Sequence, residues 1–132
     1  MTRLIISSKA KREVIDITKE LNQEISKQKF KKGICNLFVT HTTAALTTAD
    51  LDPGTDQDYL HAFAHIIPNL NYQHPHDPSH MPDHLLSSLI GTSFSIPMEN
   101  GKLVLGTWQK VVLLEFDGPR ERTVILNLLQ SI

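Results

Sequence analysis

The chain predicts an α+β fold: a single compact domain over residues 1–132, with an antiparallel sheet and about three helices. Three observations carry this expectation. The 132 residues suffice for one core that buries about two-thirds of the extended-chain surface. Helix-period apolar repeats are confined to the upstream part, where Ile17, Leu21 and Ile25 recur four residues apart. From Thr92 onward the apolar period switches to two, as in Ser93-Phe94-Ser95-Ile96-Pro97-Met98.

In chain order, Thr2 to Ser8 reads as a short strand and Glu13 to Ile15 as another. Asp16 or Thr18 caps a helix from Ile17 to about Gln28, with Lys27, Lys29, Lys31 and Lys32 at the end its dipole favours. Gly33 to Thr40 is a nearly continuous apolar run of strand length, expected in the middle of a sheet. Asp52-Pro53-Gly54 is a turn, after which Thr55 or Asp56 caps a helix running through Tyr59, Phe63 and Ile67. Pro82 suits the first turn of a third helix, from Asp83 to Ile90, stopped by Gly91. Then come Ser93 to Met98, a turn at Glu99-Asn100-Gly101, and strands over Lys102 to Trp108, Lys110 to Phe116 and Thr123 to Leu129. Tight connections imply that these four strands form one C-terminal antiparallel sheet.

Composition narrows the function classes. No run approaches the roughly 18 apolar residues of a membrane span, and the apolar start at Leu4-Ile5-Ile6 is too short for a signal peptide. A cytoplasmic protein with no membrane partner is expected. Residues 1–32 carry nine Lys or Arg against four acids, yet lack interleaved aromatics or a binding motif, so no nucleic-acid partner is expected. The single cysteine, Cys35, excludes a disulfide framework or a cysteine-rich zinc cluster and reads as a buried thiol. No Walker loop, G-x-G-x-x-G fingerprint or G-x-S-x-G elbow is present.

The chemistry concentrates in Tyr72 to His84, Y-Q-H-P-H-D-P-S-H-M-P-D-H, which holds His74, His76, His80 and His84. Imidazole carries protons and binds metals near neutral pH, so this density marks either a site or a histidine-rich polar loop. Pro75, Pro78 and Pro82 keep most of it out of regular structure. His41 follows the apolar strand directly and is flanked by Thr42 and Thr43, whose hydroxyls suit an oxyanion or the orientation of an imidazole. Asp50, Asp52, Asp56 and Asp58 supply either hard oxygen ligands for Mg²⁺ or acids at a helix start. His61 and His65, four apart on the second helix, read as surface or interface residues. Arg120 and Arg122 are phosphate forks or surface arginines of a sheet end, while Trp108 and Gln109 line a pocket or serve the core.

Five segments in this order resemble the YjbQ-type family, also called the secondary thiamine-phosphate synthase family. They are F-V-T-H-T-T-A-A-L-T (38–47), D-P with a following Asp (52–58), N-Y-Q-H (71–74), M-P-D-H-L-L-S-S-L-I-G-T-S (81–93) and L-G-T-W-Q (105–109). The resemblance implies a YjbQ-like fold in a homotrimer, with His41, His74 and His84 at the family's histidine positions and Asp58 at its aspartate. Those residues would form the catalytic centre, Asp58 orienting an imidazole, with the three histidines as ligands of a divalent metal ion (Zn, Mn or Mg). Thr42, Thr43, Trp108, Gln109, Arg120 and Arg122 would face a small phosphorylated substrate. The implied reaction joins an aminopyrimidine diphosphate to a thiazole phosphate with release of pyrophosphate, as a secondary activity. The rival readings are a metal-dependent hydrolase of a phosphate or cyclic ester and a non-catalytic trimeric metal- or anion-binding protein. The chain departs from many relatives at Thr48-Ala49-Asp50-Leu51, where they carry an N-E-N-like segment and one more residue.

Overall fold

Two antiparallel sheets and a pair of helices stack in three layers. The computed structural model describes every residue except position 30. The strands are β1 (Thr2–Ser7), β2 (Glu13–Asp16), β3 (Gly33–Val39), β4 (Ala44–Ala49), β5 (Ser93–Glu99), β6 (Lys102–Leu103), β7 (Lys110–Glu115) and β8 (Glu121–Gln130). The helices are α1 (Thr18–Ser26), α2 (Thr55–Ile66) and α3 (Met81–Ile90), with a 3-10 turn at Pro78–His80 ahead of α3. One sheet has the order β1-β8-β3-β5-β6 and the other β2-β7-β4. None of the helices is long and apolar enough to cross a membrane.

The larger core lies between the sheets. Cys35, Leu37 and Val39 of β3, Val124 and Leu126 of β8, and Val111 and Leu113 of β7 meet there, with Leu21 and Ile25 of α1 joining them. The second core covers the other face of the three-stranded sheet, where Val112, Leu114 and Phe116 pack with Leu86 of α3 and Tyr59 and Phe63 of α2. β7 is therefore apolar on both faces because both faces are covered. β3 is central as expected, but one-sided: Ile34 and Phe38 point out to solvent.

The four C-terminal strands do not form one sheet. Only β5 and β6 pair as sequence neighbours, across a turn in which Asn100 and Gly101 both take positive φ. β7 lies between β2 and β4, and β8 between β1 and β3. The difference follows from patterning: the two-sided apolar run of β7 belongs in the middle layer, whereas the alternating β8 needs one solvent face. The expected strand from Lys102 to Trp108 ends at Leu103, because Gln109 closes a turn by accepting from the Gly106 N–H at 2.8 Å. Residues 44–49, an Ala/Thr segment of modest strand propensity, form β4, a strand the periodicity did not reveal. Caps also differ. Asp16 accepts from the Thr18 N–H at 2.9 Å, as anticipated, but α1 stops at Ser26, ahead of the lysines. α2 starts after Gly54, whose φ of 89° only glycine adopts readily, with no side-chain cap from Thr55 or Asp56.

Candidate functional site

The segment His41–Thr43 leaves the central strand β3 and enters β4, and it is held from two sides. Below it lies a buried network. Arg122 is 1% exposed; its guanidinium donates to the carboxylate of Glu115, to the Thr43 hydroxyl at 2.7 Å and to the Thr43 carbonyl at 3.1 Å. Glu115 also accepts from the Ser8 hydroxyl at 2.6 Å and from the Asp117 N–H at 3.1 Å. Burial works to raise the pKa of Glu115, but the Arg122, Ser8 and Asp117 hydrogen bonds together hold it below the usual carboxylate range. Arg122 is thus not a surface arginine: its Nε and one terminal nitrogen are committed to Glu115 and Thr43. The signal was available: an acid inside the apolar run V-V-L-L-E-F requires a cation when both faces of its strand are covered.

Above the segment sits the histidine cluster. His84 lies in the first turn of α3, and its Nδ1 is 3.1 Å from the Thr42 carbonyl. Its ring stacks on that of His74, with centroids 5.1 Å apart and planes 17° off parallel. His76 adds an edge-on ring 6.0 Å from His74. The prolines set this arrangement by excluding helix until the 3-10 turn, where Asp77 accepts from the Ser79 N–H at 2.9 Å and its hydroxyl at 2.6 Å. Those bonds hold Asp77 below its ordinary pKa, and His80 stands 3.4 Å from its carboxylate.

Backbone partners assign the tautomers. A carbonyl only accepts, so His84 carries its proton on Nδ1 and, when neutral, presents Nε2 as a lone pair. His74 is the reverse: its Nδ1 accepts from the Asp77 N–H at 3.2 Å, so neutral His74 carries its proton on Nε2. His41 accepts from the Thr123 N–H through Nε2 at 2.9 Å. Desolvation, followed by the charge of Arg122, lowers its pKa from 6.5. As arranged, His84 alone of the three offers a free imidazole lone pair. Among the described residues no group of three His, Cys, Asp or Glu side chains is disposed to hold a metal ion.

The remaining expected residues lie apart. Asp58 is in the first turn of α2, with its backbone N–H on the Gly54 carbonyl, and lines a cavity with His61, Ala62 and His65. Among the described residues it makes no hydrogen bond to His41, His74 or His84. Gln109 reaches the Thr48 hydroxyl at 3.3 Å and lines a cavity with Thr48, Phe94 and Leu105. Trp108 is 69% exposed, outside the core. Arg120 is half exposed and leans on Asp117 at 3.0 Å. His41 and Thr42 line an open cavity of about 400 Å³ with Phe38, Thr40 and Thr92. The sequence reading missed Asp83: it is 1% exposed and pairs with Arg12 at 2.7 Å, tying the start of α3 to the turn before β2. Cys35 is buried, as expected, and burial pushes its thiol up to about 12.

The family model for UPF0047 protein YjbQ-like matches residues 2–131. The chain is 37% identical over 125 residues to UPF0047 protein MJ1081 of Methanocaldococcus jannaschii, covering 94% of this chain and 90% of that one. It is 34% identical over 127 residues to UPF0047 protein YugU of Bacillus subtilis, covering 96% of each. Among solved structures, a YbjQ-like protein of unknown function from Sulfolobus solfataricus superposes with a TM-score of 0.90 at 32% identity, covering 98% of this chain and 96% of that one. A YjbQ/UPF0047 protein from Clostridium acetobutylicum gives 0.88 at 34% identity, covering 98% and 100%.

Proposed function

We propose that this chain, which belongs to the YjbQ-like UPF0047 family, is a cytoplasmic enzyme acting on a small phosphorylated substrate at the His74–His84 pair. The activity is thiamine-phosphate synthase-like transfer, in a secondary role. The carbon–oxygen bond between the aminopyrimidine group and its diphosphate breaks, and the electron pair leaves with the diphosphate. A carbon–nitrogen bond to the thiazole phosphate forms in its place. Charge gathers on the departing diphosphate, where a fixed N–H donor lowers the barrier. His74 is suited to that role through Nε2–H, and His84 Nε2 is suited to accept a proton. The observation carrying the reading is this stacked pair of imidazoles in opposite tautomers. A divalent ion belongs to the proposal as the companion of the diphosphate, whose leaving charge Mg²⁺ neutralises. Arg120, half exposed, is the arginine offered to phosphate.

The free lone pair of His84 favours a second reading, a metal-dependent hydrolase in which His84 would supply one ligand to a Zn²⁺ or Mn²⁺ ion that lowers the pKa of an attacking water. One experiment separates the two. The chain is given the aminopyrimidine diphosphate with Mg²⁺, Zn²⁺ or Mn²⁺ in turn, with and without thiazole phosphate, and released pyrophosphate is measured. Release that requires the acceptor supports the transferase. Release without the acceptor points to hydrolysis, and no release under either condition rejects both in favour of a binding protein. Homotrimer assembly is part of the proposal. Ile5, Ile34, Phe38 and Leu129 are exposed on paired strands of the larger sheet, apolar surface that a second copy would cover. Sedimentation velocity reads this directly.

A further inference from the structure

Two of the seven histidines take no part in the cluster at α3 or in the His41–Thr43 segment beneath it. His61 and His65 stand four residues apart on the exposed side of α2, with ring centroids 4.8 Å apart and planes at 78°. His65 Nδ1 lies 2.9 Å from the His61 carbonyl. That carbonyl only accepts, so the His65 proton sits on Nδ1 and Nε2 of the neutral ring is a free lone pair. The His61 ring has no hydrogen-bond partner in the protein among the described residues. Both rings line a shallow cavity of about 370 Å³, shared only with Asp58 and Ala62.

The surroundings favour a cation. From Gly33 to Gly101 the chain contains no Lys or Arg and seven Asp or Glu, so α2 and the segments flanking it in sequence bring no fixed positive charge. His65 lies in the last turn of α2, where the helix dipole turns its negative end toward a bound ion. Asp58 adds a carboxylate to the same cavity. Two imidazoles at this spacing on one helix face meet the geometric requirement for sharing one transition ion.

We propose that His61 and His65 form a two-imidazole chelate on the outer face of α2 for a divalent transition ion such as Cu²⁺, Ni²⁺ or Zn²⁺. Water completes the coordination, and Asp58 acts through its charge. No third ligand is invoked, consistent with the absence of a three-residue metal group among the described residues. The Irving–Williams order makes Cu²⁺ the tightest of these ions, and the nitrogen donors discriminate against Mg²⁺ and Ca²⁺. This site shares no residue with the His74–His84 pair and does not rest on the function proposed for it.

The test uses the full chain and metal salts alone. Zn²⁺ titration by calorimetry in excess Mg²⁺ is expected to give one ion per chain, and Cu²⁺ electron paramagnetic resonance should give coupling to two nitrogens. His61→Ala and His65→Ala, both at exposed positions, should each weaken Zn²⁺ binding by at least the roughly 10–100-fold that loss of even an outer-shell partner costs a metal site. Each should also reduce the coupling to one nitrogen. The double variant His74→Asn, His84→Asn should keep the ion that depends on His61 and His65 at wild-type affinity. No binding by the wild type, wild-type affinity in either alanine variant, or loss in the double variant alone would overturn the proposal.

Discussion

The two sides of the His41–Thr43 segment are built on opposite principles. Beneath it, Arg122 and Glu115 are fully buried charges satisfied by each other, Ser8, Thr43 and the Asp117 N–H. Above it, His74 and His76 sit on a proline-rich stretch with few buried contacts, and His84 is joined to the segment by one bond to Thr42. Buried charge in a low-dielectric interior tolerates a single geometry, because any displaced partner leaves an uncompensated ion. The imidazoles above are exposed or only partly buried, and each is held by few contacts. The contrast separates the part that fixes position from the part able to do chemistry.

Arg122→Met attacks the rigid side directly. It strands Glu115 and should cost about 3–5 kcal/mol of stability, read by urea denaturation. Adding Glu115→Leu should recover much of that loss. If the single variant were as stable as the wild type, the network would not be the platform described. Asp83→Asn removes the charge from the tie between α3 and Arg12, whose side chain is 26% exposed, and a smaller loss of about 1–3 kcal/mol is expected.

His41 sits at the boundary, and its signature is pH dependence. Its pKa is lowered in the fold from 6.5, so the unfolded chain takes up a proton first as pH falls. Its contribution to stability is therefore full above 6.5 and is lost as pH drops from 6.5 through the lower folded value. His41→Gln keeps an acceptor for the Thr123 N–H without a titrating group, and should flatten that part of the stability profile in denaturation at stepped pH. An unchanged slope would mean that His41 is not the group responsible.

On the histidine side the expected stability change is smallest. Asn can reproduce the Nδ1 contacts of His74 and His84 while removing Nε2. Either His74→Asn or His84→Asn should leave stability within about 0.5 kcal/mol, while pyrophosphate release falls by about 10²–10⁴-fold. A variant that unfolds the chain would erase the distinction between the two sides.

Much of this was legible locally. The proline spacing from Pro75 to Pro82 marked an irregular stretch leading into α3, and the alternation from Ser93 to Met98 marked β5. The five segments at 38–47, 52–58, 71–74, 81–93 and 105–109, weak one by one, together pointed to the family to which the chain belongs. The structure brings His84 to Thr42 and His74 to His84, whereas Asp58 stands with His61 and His65 instead. β4 was missed because Ala44 to Ala49 has weak strand propensity and gains its partners only from β7. The burial of Arg122 was not legible because alternation along β8 shows that it faces a side, not that the side is sealed by another sheet.

Local composition and periodicity therefore determined most of the helix and strand segments, β4 excepted, and where the imidazoles are concentrated, since those properties depend on neighbours a few residues away. Tertiary structure alone decided which sheet each strand joined, which charges were buried and which ring nitrogen carries the proton. Each of those depends on a partner far along the chain: Glu115 for Arg122, Thr123 for His41 and Thr42 for His84. Burial and hydrogen bonding act through space, and no spacing along the sequence encodes the dielectric around a group.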